Sequence, residues 1–266
     1  MQRPSCARRH QAEPYATAIG LALALFCAAC APSPRRQKIA VAAAADLNFA
    51  MPEIARQFRA ARPAVELEIA YGSSGNFLAQ ISNGAPFDVF LSADVEYPRK
   101  LASAGVAVAA GNAVFTYAVG RLVVWVPARS PLDPAAALRD PSLKHLAIAN
   151  PQHAPYGRAA QAALRSLGLY AGVQPKLVLG ENVAQTLQFV ESGAADAGIV
   201  AMSLALAPPV RARGRYWEIP PEAYPRMEQG GIILKDSGAA RDFRAFLLSA
   251  GGRRILRQYG FFVPGE

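Results

Sequence analysis

From Lys38 onward, short apolar runs alternate with helix-like stretches, and this alternation constrains the fold more than any other feature of the chain. Residues 39–44, 65–70 and 88–91 read as strands, and residues 47–61, 76–82 and 97–104 read as helices. Pro52 sits awkwardly in the first of these helices and predicts a late or irregular start. Gly105 ends the third. Strands separated by helices of this length build an α/β domain with a mainly parallel sheet. Residues 114–126 then form a β-rich stretch too long for one average strand. It reads as a strand, a break near Gly120 and a second strand, which suits a crossing between two lobes. Past it the alternation resumes. Residues 146–149, 176–179 and 198–200 read as strands, with helices over 157–167 and 183–191. Residues 231–234 form a returning strand, and residues 239–259 a helix pair that packs back on the first lobe. An internal echo supports two lobes of like topology. Residues 81–91 and 190–200 each end a helix, place a Gly, then give an acid and a buried strand.

The chain has 266 residues, 52% of them hydrophobic, enough for a sizeable core in two lobes. The N-terminus reads as an export signal. Arg3, Arg8 and Arg9 precede an apolar run over 16–29 that is too short to cross a membrane comfortably. Its Ala-Ala-Cys ending resembles a bacterial lipoprotein processing site with Cys30 as the lipidated residue. Cys27 departs from that pattern, and ordinary cleavage near Ala29 or Ala31 is the rival. The domains are then a signal peptide over 1–30, a linker over 31–37, lobe 1 over 38–119 and 222–266, and lobe 2 over 120–221. All three cysteines, Cys6, Cys27 and Cys30, fall in the leader. The exported body therefore has no disulfide, thiol nucleophile or cysteine metal ligand. Without residues 1–30 it keeps 25 basic against 18 acidic residues, a formal +7. Its charges are scattered singly and not interleaved with aromatics, which argues against nucleic acid.

Four strand-to-helix turns carry the chemistry. They lie at Ala45-Asp46-Leu47-Asn48, at Ser73-Ser74-Gly75, at residues 150–157, and at Gly180-Glu181-Asn182-Val183. In parallel α/β sheets such turns gather at the carboxyl ends of the strands, where ligands bind. The free N–H groups and positive dipole end of each helix suit an oxyanion. Backbone donors with the hydroxyls of Ser74 and Tyr156 can hold a fully ionised tetrahedral anion without any cation. Each turn taken singly is ordinary capping. His145 and His153 have no metal-ligating neighbours in sequence. Asp88, Asp94 and Asp196 read as capping and turn residues rather than paired catalytic acids. No nucleophile elbow, phosphate loop or zinc-helix pattern is present.

The chain resembles the periplasmic molybdate-binding proteins of bacterial ABC importers, type II periplasmic solute-binding proteins. The resemblance spans residues 38–263. It is carried by residues 41–47, by Tyr71-Gly72-Ser73-Ser74-Gly75, by residues 83–94, by Asn150-Pro151-Gln152-His153-Ala154-Pro155-Tyr156-Gly157, by Glu181-Asn182-Val183 and by Tyr259-Gly260-Phe261. It implies the two-lobed type II fold with a ligand cleft between the lobes. The implied anion ligands are Asp46, Ser74, Tyr156 and Val183, with Ser73 and Ala201 as weaker candidates. Two positions depart from a common form of the family. Asp46 stands where many members have serine, so its backbone N–H is expected to face the anion while its side chain caps the helix. Ala201 stands where some members have tyrosine, a donor that Tyr156 replaces.

The resemblance thus implies capture of molybdate or tungstate outside the cytoplasmic membrane and delivery to an ABC permease. It implies no catalysis, no cofactor, and no metal other than the bound molybdate. It implies a monomer that touches the membrane only through a lipid anchor. Sulfate or phosphate is the alternative ligand, phosphate requiring an acceptor for its proton. A transferase on the same scaffold, or an anion sensor, is the alternative class.

Overall fold

A computed structural model describes residues 36–106 and 114–264. Cys30 and the expected leader lie outside the described residues. In the first lobe, β1 (Gln37–Ala44) runs into a 3₁₀ turn (Ala45–Leu47) and then α1 (Ala50–Ala61). Pro52 falls at the third position of α1, where a missing N–H costs nothing because it has no helical acceptor. The irregular start predicted from that proline is this turn. β2 (Val65–Gly72), α2 (Ser74–Ser82), β3 (Val89–Ser92), α3 (Glu96–Ser103) and β4 (Phe115–Gly120) follow.

Only Arg121 separates β4 from β5 (Leu122–Pro127), so the break near Gly120 is the crossing itself. The second lobe continues through β6 (Leu146–Ala149), α4 (Pro155–Ser166), α5 (Tyr170–Val173), β7 (Leu177–Gly180), α6 (Val183–Glu191), β8 (Ala197–Ala201), α7 (Met202–Ala205), α8 (Pro208–Arg211) and β9 (Gly214–Glu218). The chain then returns through β10 (Met227–Ile233) and ends in α9 (Gly238–Leu248) and α10 (Ala250–Gln258). No described helix is long and apolar enough to cross a membrane.

The two sheets have matching strand orders, β2-β1-β3-β10-β4 and β7-β6-β8-β5-β9. In each, the first three strands are parallel and the last two join antiparallel. The mainly parallel character expected of each sheet thus holds, since four of its five strands run the same way and only β10 or β5 opposes them. β10 and β5 enter from the opposite lobe and so run against their neighbours. The sequence echo has a structural counterpart in β3 and β8, which occupy equivalent places. The Asp88 carboxylate accepts the Ala40 N–H at 2.7 Å beside β1. The Asp196 carboxylate accepts the Lys144 and His145 N–H groups at 2.8 and 2.7 Å just before β6. Both acids satisfy backbone groups of the neighbouring parallel strand.

Each lobe has its own core. In lobe 1, Val41, Ala43, Met51, Ile54 and Phe58 pack with Phe243, Leu247, Ile255 and Leu256 of the C-terminal helices. The end of the chain therefore does cover the first sheet. In lobe 2, the inner face of β5 and β6 packs on Tyr156, Ala160, Leu164, Leu187 and Val190. The amphipathic spacing of α1, α4 and α9 directs these residues inward.

Candidate functional site

The four turns singled out in the sequence meet between the lobes. They enclose a cavity of about 10 Å³ lined by Ala45, Asp46, Ser74, Tyr156, Asn182 and Val183 among others. Sites for organic ligands run to about 300–1,000 Å³, so this one is far too small for a ligand of that kind. No Lys or Arg lines it. A larger groove of about 490 Å³ lies alongside, lined by residues of both lobes. Its charged groups are spent on each other in the pairs Arg99–Glu96, Arg158–Asp94 and Arg226–Glu228.

Three helices end at the small cavity. Ser74 opens α2, Tyr156 is the second residue of α4 after Pro155, and Val183 opens α6. First-turn N–H groups have no helical acceptor. The N–H groups of Ser74, Tyr156 and Val183 find no other partner among the described residues. Of the other first-turn donors, the Gly75 N–H crosses to the His153 carbonyl of lobe 2, and several are consumed locally. Asn182 caps α6 by accepting the Ala184 and Gln185 N–H groups at 3.0 and 3.1 Å. Ser73 caps α2 by accepting from Asn76 at 3.4 Å. Capping and ligand donation therefore divide the helix ends between them.

Ser74 is buried, and its Oγ accepts the Ala93 N–H at 3.0 Å. Its own hydrogen has no protein acceptor among the described residues, so it can donate into the cavity. Ser73 is differently committed. Its Oγ lies 2.9 Å from His153 Nδ1 and donates to the His153 carbonyl at 3.1 Å. Ala201 is fully buried at the end of β8 and is not among the residues lining the cavity.

Asp46 lines the cavity with its side chain 1% exposed. The sequence reading has that side chain capping the helix. The structure instead holds it between Tyr156 of lobe 2 and Gln229 of β10 in lobe 1, and no side chain makes a capping hydrogen bond to the 3₁₀ turn. The Tyr156 hydroxyl donates to Asp46 Oδ2 at 3.0 Å, and Gln229 Nε2 donates to the same oxygen at 2.5 Å. Gln229 Nε2 also lies 3.2 Å from the Tyr156 oxygen. The hydroxyl expected to face the anion is thus engaged with Asp46, and Tyr156 presents its backbone N–H. Asp46 Oδ1 and Gln229 Oε1 have no partner among the described residues. Burial pushes the Asp46 carboxyl up from 3.8 to about 6, against the pull of the Gln229 and Tyr156 bonds and, more weakly, of the nearby Asp46 and Leu47 N–H groups, which lie outside hydrogen-bond geometry with Oδ1. Burial, and then the facing Asp46, pushes the Tyr156 phenol well up. Gly120 makes this arrangement possible. A Cβ there would lie 2.5 Å from the Tyr156 hydroxyl oxygen and 2.8 Å from Gln229 Nε2.

The lobes are also stitched directly. The Gly75 N–H donates to the His153 carbonyl at 2.9 Å. A Cβ on Gly75 would lie 2.4 Å from that carbonyl oxygen, so only glycine allows the approach. Asn76 hydrogen-bonds Glu181, Ser203 Oγ donates to the Asp46 carbonyl at 2.8 Å, and Arg158 pairs with Asp94 at 2.7 Å. Gln229, Ser203 and the bridging role of His153 escape sequence reasoning. Gln229 lies in a strand interior and Ser203 in a four-residue helix, so neither carries a turn signal. No grouping of His, Cys, Asp and Glu among the described residues could hold a metal ion.

Two α/β lobes joined by a double crossing, with helix N-termini converging on an ion-sized cavity, define a two-lobed binding protein. Residues 39–262 match the family described as bacterial extracellular solute-binding protein, and the chain belongs to that family. It is 37% identical to the molybdate-binding protein ModA of Rhodobacter capsulatus over 245 residues, covering 90% of this chain and 94% of that one. The periplasmic molybdate-binding protein of Azotobacter vinelandii superposes with a TM-score of 0.78 at 33% identity, covering 85% and 99% of the two chains. The substrate-binding domain of a putative molybdenum ABC transporter from Clostridium difficile superposes at 0.65 with 26% identity, covering 85% and 98%.

Proposed function

We propose that this chain captures molybdate, or tungstate, outside the cytoplasmic membrane and delivers it to an ABC permease, without a chemical step. The observation that carries this reading is the convergence of uncommitted N–H groups on one ion-sized cavity. Ser74, Tyr156 and Val183 supply them from both lobes, and the Ser74 hydroxyl adds a fourth donor. Neutral donors at three helix N-termini suit a small anion and nothing larger. The names of the relatives support molybdate as that anion and a permease as recipient. The N-terminal pattern supports export, with Cys30 as a lipid attachment point.

Calorimetry and thermal melting with molybdate, tungstate, sulfate and phosphate test the reading. A ligand at a hundredfold over its dissociation constant stabilises by about 2.7 kcal/mol. Stabilisation by molybdate and tungstate, with little from sulfate, is the expected result. A second reading, a phosphate-binding protein, is favoured by one observation, the buried unpartnered Oδ1 of Asp46, which could accept the proton of hydrogen phosphate. Stabilisation by phosphate in place of molybdate selects it. Absence of a response to all four ions overturns both.

A further inference from the structure

A carboxylate is an odd lining for an anion site. Asp46 is 1% exposed, lines the cavity, and keeps Oδ1 unpartnered while Oδ2 receives two donors. An ionised Asp46 beside a dianion in a space without Lys or Arg would place like charges together in a dry site. A proton on Oδ1 removes the repulsion and turns the orphaned atom into a donor. We propose that the cavity takes its oxyanion together with one proton, held between Asp46 Oδ1 and an oxygen of the anion. The proton comes from hydronium or a buffer acid as the dianion enters: its bond to that donor breaks, an O–H bond forms on Asp46 Oδ1, and both changes reverse on release. The inference rests on the oxyanion reading above.

The groups facing Asp46 leave it as the proton carrier. Tyr156 from α4 and Tyr117 from β4 are phenols that burial pushes upward. Gln229 from β10 is an amide, and Ser203 from α7 meets only the Asp46 carbonyl. Tyr224 bonds the Leu122 N–H, and burial raises it too. His153 lies across the site on Ser73, with its Nε2 3.8 Å from Glu181. It is the rival source of any pH dependence. The upward displacement of the Asp46 carboxyl by burial agrees with a proton held at this position.

Molybdate binding to the full chain is measured calorimetrically between pH 6.5 and 8.5. At pH 7.5 it is repeated in buffers of different ionisation enthalpy. The expected result is uptake of close to one proton per anion, with affinity falling by up to about tenfold per pH unit. The Asp46→Asn protein, with Asp46→Ser as a second neutral variant, takes up no proton and binds with pH-independent affinity. The His153→Asn protein keeps the wild-type slope. Zero proton uptake by the wild type, or an unchanged slope in both Asp46 variants, overturns the proposal while leaving molybdate capture intact. Absence of molybdate binding by the wild type at every pH overturns the functional reading instead.

Discussion

Replacing Asp46 by Asn should stabilise the ligand-free protein at neutral and alkaline pH, an unusual outcome for a buried polar residue. The folded carboxyl sits at about 6 and its ordinary value is 3.8, because burial disfavours the charged form more than Tyr156 and Gln229 favour it. A carboxyl raised on folding binds its proton more tightly in the folded state. The penalty for ionising it is absent below about pH 4, grows between about pH 4 and 6, and is complete above that range. Two units of displacement correspond to about 3 kcal/mol. The amide can still accept from Tyr156 and Gln229 but carries no charge. At pH 8 the Asp46→Asn protein should therefore melt roughly 6–12 °C above wild type, the range for about 3 kcal/mol in a domain of this size. At pH 4 the two should nearly coincide. Thermal denaturation by circular dichroism across pH 4–8 supplies the test. Equal pH slopes for both proteins, or a lower melting temperature for the variant at pH 8, would show that the carboxylate is hydrated without ligand and refute the reasoning.

Gly75→Ala places a methyl group 2.4 Å from the His153 carbonyl oxygen. It should weaken anion affinity at least tenfold by calorimetry, since displacing site groups by about 1 Å is costly, yet leave the ligand-free melting temperature within a few degrees. Ser74→Ala removes a hydroxyl donor to a charged ligand, worth about 1.5–3 kcal/mol, and should raise the dissociation constant roughly 10- to 100-fold. Asn182→Ala uncaps α6 at Ala184 and Gln185. It should cost about 1 kcal/mol in chemical denaturation.

The alternation of strand and helix is readable because the inner parallel strands β3, β6 and β8 are buried on both faces and so appear as short unbroken apolar runs, whereas the edge strands β2 and β7 are only partly buried. The crossing at Gly120 is readable because no single strand accommodates the whole β-prone stretch over 114–126. β9 is not legible in the same way. It lies at a sheet edge, its burial does not alternate cleanly, and Arg215 and Glu218 give it the look of a loop. At the site, Ser74 and Val183 stand at helix starts that sequence marks well. What lies beyond sequence is which atom of a residue faces the ligand. Tyr156 offers both a hydroxyl and an N–H, and only the position of Asp46, 110 residues away, decides between them. Gln229 cannot be found at all, because its role is defined by the two side chains it meets and not by its neighbours along the chain.

The double crossing also sets the mechanics of the molecule. Gly120 and Met227 face each other on one side of it, and Val123 and Glu218 on the other. Two tethers fixed side by side behave as a leaf hinge with a single axis. β2 and β7, which carry the Gly75 and Glu181 turns, lie at the opposite edges of their sheets from β4 and β9. With strands about 4.8 Å apart, those turns stand about 19 Å from the axle, and a rotation of about ten degrees moves them by about 3 Å. That is enough to break the Gly75–His153 and Asn76–Glu181 bonds. The Tyr156 hydroxyl, packed against Gly120, rides close to the axle and travels little. Rotation about that axis would part the outer edges of the cleft, where an ion would enter, and would leave the Asp46–Tyr156–Gln229 group nearly in place.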